Sequence, residues 1–107
     1  MSTQITKLRN HTVVQLDGAL DIYTAPALKK ELHSLLDEGI DSLVIDMIHI
    51  KLLDSSGIAL LANVQKRMKT ESGNFYLLNV NQDVLIILKL SSLDKFFTIV
   101  NSQEELP

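Results

Sequence analysis

The first part of the chain alternates apolar and polar residues and then changes to helical spacing. Two strand-like segments, residues 5–9 and 12–16, predict a short hairpin. The next apolar residues recur at helical spacing. They predict an amphipathic helix that begins after Thr24, carries Pro26 in its first turn and is closed by Gly39. The pattern therefore favours a hairpin followed by a helix that packs on it.

The second part of the chain alternates strands and helices. In order, the pattern predicts a buried strand at 43–48, a helix from Ser56 to about Lys69, a strand at 75–80, a short helix capped by 81–83 and ending at Leu90, and a strand at 96–100. Residues 101–107 are polar and acidic, and we expect a loosely held tail there. The whole order predicts one α/β domain, with residues 5–100 as its core. In it a mixed sheet of about five strands carries three to four packed helices.

Composition excludes several classes of function. Lys and Arg number 10 against 13 Asp and Glu, a net charge of -3, so the basic surplus that nucleic-acid binding requires is missing. The absence of cysteine removes disulfides, thiolate catalysis and cysteine-ligated zinc. No apolar run approaches the roughly 20 residues that span a bilayer, and the start lacks the pattern of a signal peptide. We therefore expect a cytoplasmic protein without membrane insertion.

Three consecutive candidate N-caps, Asp54, Ser55 and Ser56, stand where the strand at 43–48 gives way to the second helix. One cap is enough for a helix, so at least one hydroxyl is free for another role. The dipole and the unpaired N–H groups at a helix N-terminus favour an anion, so they can hold a phosphate on a serine locally. The stretch is therefore either a helix cap alone or a cap combined with a phosphorylation site.

Signatures of catalysis and of metal binding are missing. The chain has no glycine-rich phosphate loop, no H-E-x-x-H and no G-x-S-x-G, and His11, His33 and His49 share no metal-ligand spacing. Neither Asp21 nor Asp54 needs catalysis to explain it, and a serine nucleophile requires a nearby base that the sequence does not show. We therefore expect no enzymatic activity, no metal site and no cofactor.

Two motifs together resemble a known family. Asp-Ser-Ser-Gly-Ile at 54–58 follows an apolar strand, and Gly-Ala-Leu-Asp-Ile-Tyr-Thr-Ala-Pro at 18–26 precedes an amphipathic helix. This combination is similar to the anti-sigma factor antagonists of the STAS domain family, over about residues 5–100. The chain departs from the family at two positions: Ala19 stands where a charged residue is common, and Ser92 stands where a glycine is common.

The resemblance implies a single STAS-like domain that acts as a switch. In that family the unphosphorylated domain binds a partner that is both anti-sigma factor and serine kinase, and this binding frees a sigma factor. Phosphorylation of the serine after the aspartate, here Ser55, ends the binding. A phosphate adds about -1.5 to -2 charge beside Asp54, which makes the contact surface repulsive. The alternative is a related scaffold or accessory subunit in stress signalling or lipid transport, and a serine hydrolase is a third possibility.

The start of the second helix is predicted to form the partner surface. On a helical wheel, Ile58, Ala59 and Ala62 lie off the buried stripe and form a small apolar patch beside Ser55. The predicted partner-binding residues are Asp21, Tyr23, Asp54, Ser56, Gly57, Ile58, Ala59 and Ala62. The competing interpretation is that a sheet edge or a neighbouring helix covers the patch.

The short third helix is more apolar than a one-sided helix requires. Leu85, Ile86 and Leu90 point away from its main apolar face and predict a second interaction surface, for a further partner or for weak self-association. Two alternatives remain open: the tail at 101–107 covers these residues, or the helix lies deeper in the fold.

Overall fold

A computed structural model describes residues 1–107 as a five-stranded mixed sheet with three α-helices. In chain order the elements are β1 (Ser2–Leu8), β2 (His11–Leu20), α1 (Ala25–Asp37), β3 (Ser42–Leu53), α2 (Ser55–Thr70), β4 (Asn74–Leu78), α3 (Gln82–Leu90), β5 (Ile99–Val100) and a 3₁₀ turn (Gln103–Glu105). The strands lie side by side in sequence order, antiparallel between β1 and β2 and parallel from β2 to β5. The predicted α/β class and the mixed sheet of five strands are confirmed. None of the helices has the length and apolar character needed to cross a bilayer.

β3 is longer than the sequence pattern predicts, and β5 is shorter. β3 continues past Ile48 because it remains paired with β2, through two irregularities in register, as far as the pair Leu20 and Leu53. The polar residues in this extension face solvent, which hides the strand from a search for continuous apolar runs. In contrast, β5 keeps only the last two residues of the predicted segment at 96–100, since Phe97 turns into the core instead.

The three helices cover one face of the sheet. Alternate side chains of each strand point to that face, as the period of two requires. They join the helix side chains in a core of 22 buried residues, among them Val14, Leu16, Leu32, Leu43, Ile45, Leu61, Leu77 and Leu88. Full burial of one such side chain contributes about 1.5–3 kcal/mol, so this layer is the main source of stability.

The opposite face of the sheet carries a smaller core, which the C-terminal residues close. Leu106 is 4% exposed. It belongs to a cluster of five buried residues: Val13, Val44, Leu78, Val100 and Leu106. His11 Nε2 donates to the Pro107 carbonyl at 2.9 Å, and Arg9 donates to the Leu106 carbonyl at 3.1 Å. The prediction of a loosely held tail is therefore wrong, because one leucine anchors an otherwise polar segment.

α3 is followed by a serine in a left-handed conformation. Ser92 has φ 59°, and its backbone N–H donates to the Lys89 carbonyl at 3.0 Å, which closes the helix. A side chain in this region of backbone space costs about 1 kcal/mol relative to glycine. The departure from the family's usual glycine therefore affects stability at a helix end and leaves the predicted partner surface unchanged.

Candidate functional site

The two sequence motifs meet at one edge of the sheet. Because β2 and β3 are parallel, their carboxyl ends lie side by side, with Leu20 opposite Leu53. The loop at 21–24 follows the end of β2, beside the point where the chain passes from the end of β3 into α2. The Asp54 N–H donates to the Leu20 carbonyl at 3.3 Å. Residues that are more than thirty positions apart in sequence therefore form a single site.

Asp54 is the N-cap of α2 and also a bridge to the loop. Its Oδ1 accepts from the N–H groups of Ser56 at 2.9 Å and Gly57 at 3.1 Å, and its Oδ2 accepts from the Ile22 N–H at 3.3 Å. Two of the N–H groups in the first turn, those of Ser56 and Gly57, are thus already paired. These two groups therefore offer no free donor to a phosphate on a neighbouring serine, and local binding of a phosphate at the helix N-terminus stays a prediction.

The two serines differ in exposure. Ser55 is the first residue of α2, and its side chain is exposed, whereas Ser56 is half-buried. Since Asp54 supplies the capping oxygen, neither hydroxyl is needed to begin the helix. Ser55 therefore presents a free hydroxyl to solvent at the edge of the site.

The loop at 21–24 is folded around the Asp21 side chain. Asp21 Oδ1 accepts from the N–H groups of Tyr23 at 2.9 Å and Thr24 at 3.1 Å, and the Thr24 hydroxyl donates to the Ala19 carbonyl at 2.8 Å. Thr24 precedes α1 as predicted, but its side chain makes no capping bond to the helix. The loop presents Tyr23, which is 89% exposed, so a large aromatic side chain stands free next to the start of α2.

Two residues predicted for the partner surface are buried instead. A Cβ on Gly57 would lie 2.7 Å from the Leu20 carbonyl oxygen, so the first turn of α2 packs directly against the end of β2. Ile58 is 8% exposed and belongs to the main core. The prediction fails for both: the ends of β2 and β3 lie against Gly57, and Ile58 packs into the main core. Ala59 is exposed, and Ala62 is half-buried against the core.

A shallow groove of about 540 Å³ runs between the starts of α1 and α2. It is lined by Ile22, Ala25, Pro26, Lys29, Ser56, Ala59, Leu60 and Asn63. Of these residues, only Ser56 and Ala59 were predicted from the sequence to belong to the partner surface. The signal for the α1 side was present in Pro26 and Lys29, which lie one helical turn apart and off the apolar stripe. The candidate site is therefore a groove between two helices, rather than a patch on one.

Beyond the groove, a cluster of polar contacts holds α1 and α2 together. Arg67 donates to Asp37 at 2.6 Å, to Glu71 at 2.7 Å and to His33 Nδ1 at 2.9 Å. The hydrogen bonds that Arg67 donates to Glu71 and then to Asp37 raise the pKa of Arg67, so its charge is retained. Because His33 Nδ1 accepts from Arg67, its Nε2 carries the proton and donates to Asn63 at 2.8 Å. The cluster therefore fixes the distance between the two helices that form the groove.

Comparison with known proteins agrees with this geometry. The sequence model of the STAS domain matches residues 2–106. The anti-sigma-B factor antagonist of Bacillus subtilis is 24% identical over 104 residues, which are 97% of this chain and 94% of the relative. An anti-sigma factor antagonist from Mycobacterium paratuberculosis superposes with a TM-score of 0.86 at 26% identity, over 97% of this chain and 88% of the other. The Bacillus cell fate determinant SpoIIAA in its phosphorylated form gives a TM-score of 0.73 at 19% identity, over 96% and 95% of the two chains. The chain belongs to the STAS domain family.

Proposed function

We propose that this STAS domain is an anti-sigma factor antagonist. In its unphosphorylated form it binds an anti-sigma factor that is also a serine kinase, and phosphorylation of Ser55 by that kinase ends the binding. The observation that carries the proposal is the division of roles at the start of α2, where Asp54 caps the helix and Ser55 presents an exposed hydroxyl. The similarity to an anti-sigma-B factor antagonist and to a phosphorylated member of the same fold supports it.

The partner surface in this proposal is the groove between α1 and α2 together with the loop that ends at Thr24. Ile22 is an exposed large side chain that lines the groove, and Ala59 lies on its α2 side. Tyr23, the next residue of the loop, is exposed beside the groove and does not line it. Exposed aromatic side chains of this kind commonly anchor protein interfaces. Asp21, Asp54, Ser56 and Ala62 complete the surface, either by shaping the loop and the helix start or by lining the contact.

The position of Ser55 explains how one phosphate can control binding. Because Asp54 already accepts from the N–H groups of Ser56 and Gly57, a phosphate on Ser55 finds no free donor in these two groups and brings a charge of about -1.5 to -2 to the exposed edge of the site. Docking a partner would remove that charge from water, at an effective cost of several kcal/mol. A loss of about 1.4 kcal/mol already weakens binding tenfold, so the fold need not change for the switch to work.

The domain itself performs no chemical step in this proposal, since the kinase supplies the phosphoryl transfer. It acts in the cytoplasm, where the sigma factor and its antagonists meet. A STAS scaffold or an accessory subunit of a larger complex would also bind partners, but it would not require release when Ser55 is phosphorylated.

The test is phosphorylation by anti-sigma factor serine kinases encoded in the same genome, with ATP and mapping by mass spectrometry. We expect one phosphate on Ser55 in the unaltered chain, none in Ser55→Ala, and a phosphate still on Ser55 in Ser56→Ala, the variant that distinguishes the two serines. Ser55→Asp should weaken kinase binding only partly, since one carboxylate carries less charge than a phosphate. Phosphate on Ser56, or tight binding that survives phosphorylation of Ser55, would show that the proposal is wrong.

A further inference from the structure

β1 forms a long open edge of the sheet. It pairs with β2 over its whole length of 7 residues, from Ser2 opposite Asp17 to Leu8 opposite His11, without a bulge. No strand lies on its other side, and the far edge of the sheet, β5, has only 2 residues. Exposed edges are normally blunted by proline, by bulges or by several charges. β1 has none of these beyond the single charge of Lys7.

The outward backbone groups of β1 can be identified from its pairing. The connection to β2 has two residues, so Leu8 and His11 form a hydrogen-bonded pair at the end of the hairpin. Such pairs alternate with pairs that make no hydrogen bonds to each other. Thr3, Ile5 and Lys7 therefore turn their N–H and C=O groups away from β2, toward solvent.

We propose that two copies of this chain pair through their β1 edges in antiparallel orientation, with Ile5 opposite Ile5 of the second copy on the two-fold axis. In this register Thr3 of each copy lies opposite Lys7 of the other. Every outward N–H and C=O of the three residues then has a partner, and the two sheets become one continuous sheet. A register shifted by two residues leaves part of this set unpaired.

The side chains fit this register as well as the backbone does. Ile5 is 45% exposed, and pairing with its own symmetry mate covers an apolar side chain that its own chain leaves open. Lys7 never lies opposite Lys7 of the second copy, so no like charges meet across the junction. Gln4 and Thr6, on the other face of the strand, lie opposite each other and are both polar.

Charge complementarity identifies a second copy as the occupant of this edge. The Thr3 hydroxyl donates to Glu31 Oε1 at 2.6 Å, so the Glu31 carboxylate lies over Thr3. Lys7 of the second copy is opposite Thr3 and on the same face, because alternate residues of a strand share a face. Its ammonium group donates to Thr12 of its own chain at 2.8 Å and keeps two further N–H donors, which can reach Glu31 of the first copy. The two-fold axis repeats this ion pair. Ala27, one turn before Glu31, also lines the space beside Thr3, so a short side chain leaves room for the second copy.

Sedimentation equilibrium over a range of concentrations tests the dimer. We expect a concentration-dependent dimer in the unaltered chain and at least tenfold weaker association in Ile5→Lys, which places two like charges on the axis. Thr6→Lys is the matched control, since it adds the same charge to the neighbouring residue on the other face, opposite Gln4. Glu31→Lys should also weaken the dimer, and the exchange of charges in Lys7→Glu with Glu31→Lys should restore it. Thermal melting confirms that each variant is folded.

Cysteine cross-linking tests the register, since the chain has no cysteine of its own. In a hydrogen-bonded antiparallel pair the Cα atoms are about 5.5 Å apart, within the range of a disulfide. Ile5→Cys should therefore form a disulfide-linked dimer on oxidation much faster than Gln4→Cys, whose symmetry mate is displaced along the strand. A monomer at every concentration, equal cross-linking of the two variants, or a dimer lost in Ile86→Lys but kept in Ile5→Lys would overturn the proposal. None of these measurements depends on phosphorylation of Ser55.

Discussion

Asp54 Oδ2 accepts a hydrogen bond from the backbone N–H of Ile22 at 3.3 Å. This contact joins the two motifs that carry the family resemblance, one from the loop after β2 and one from the start of α2. The same carboxylate caps the helix through its other oxygen, so the helix start and the loop are held by one side chain. The shape of the groove between them therefore depends on Asp54 even if no partner touches it.

Replacing Asp54 separates this structural role from the role of its charge. Asp54→Ala should lower the free energy of unfolding by about 1–2 kcal/mol, since the helix loses its cap and the loop its anchor. Asp54→Asn keeps an acceptor oxygen without the charge and should retain most of the stability. Urea denaturation measures both, and equal losses in the two variants would contradict the capping role.

The groove can be tested at Ala59, which is exposed and therefore tolerates a charge. Ala59→Asp should weaken binding of the anti-sigma factor at least tenfold, because it places a carboxylate in the contact surface next to Ser55. Thr70→Asp makes the same change in charge at the far end of α2 and should bind normally. Ala62→Asp is a less specific probe, since Ala62 packs partly against the core. Isothermal titration calorimetry compares the three, and unchanged binding of Ala59→Asp would exclude the groove.

The left-handed residue after α3 offers a prediction about stability. Ser92→Gly should raise the free energy of unfolding by about 1 kcal/mol, since glycine adopts this backbone conformation without the steric cost. Ser91 has φ -88°, so Ser91→Gly should instead destabilise the protein by increasing the freedom of the unfolded chain. Thermal unfolding measures the change in stability of both variants. A change of the same sign in the two would contradict the left-handed conformation of Ser92.

The side of α3 that points away from the core, with Leu85, Ile86 and Leu90, stays a predicted second interaction surface. Leu90 is 82% exposed and Ile86 47%, whereas Leu85 is half-buried. The C-terminal segment does not cover them, because Leu106 packs on the opposite face of the sheet from α3. Ile86→Lys should leave the fold intact and abolish binding of a second partner, detected by pull-down with the unaltered chain as reference. Lys89→Ala is the control on the same helix. Equal binding by the unaltered chain, Ile86→Lys and Lys89→Ala would show that this side of α3 is not an interaction surface.

The order of elements was predictable because hydrophobic periodicity reflects burial on one side of a helix or strand. The choice of Ser55 as phosphoacceptor candidate followed from the resemblance to the family, since the residue types alone show only that one of the hydroxyls is free. The groove was not predictable, because it depends on how α1 and α2 approach each other, which Arg67 and Asp37 help to set. The burial of Ile58 was missed for a related reason: it depends on how neighbouring elements pack on α2, which a helical wheel does not include. Leu106 shows that a single apolar residue can fix a polar segment.

The contact between His11 and the Pro107 carbonyl spans 96 positions of the sequence. During synthesis the hairpin of β1 and β2 leaves the ribosome well before residues 106 and 107 do. Until then Val13 and Val44 lack the leucine that packs against them in the finished fold. In that interval the nascent chain therefore exposes the apolar side of its sheet that Leu106 covers in the finished fold, and it is then prone to aggregation and to chaperone binding.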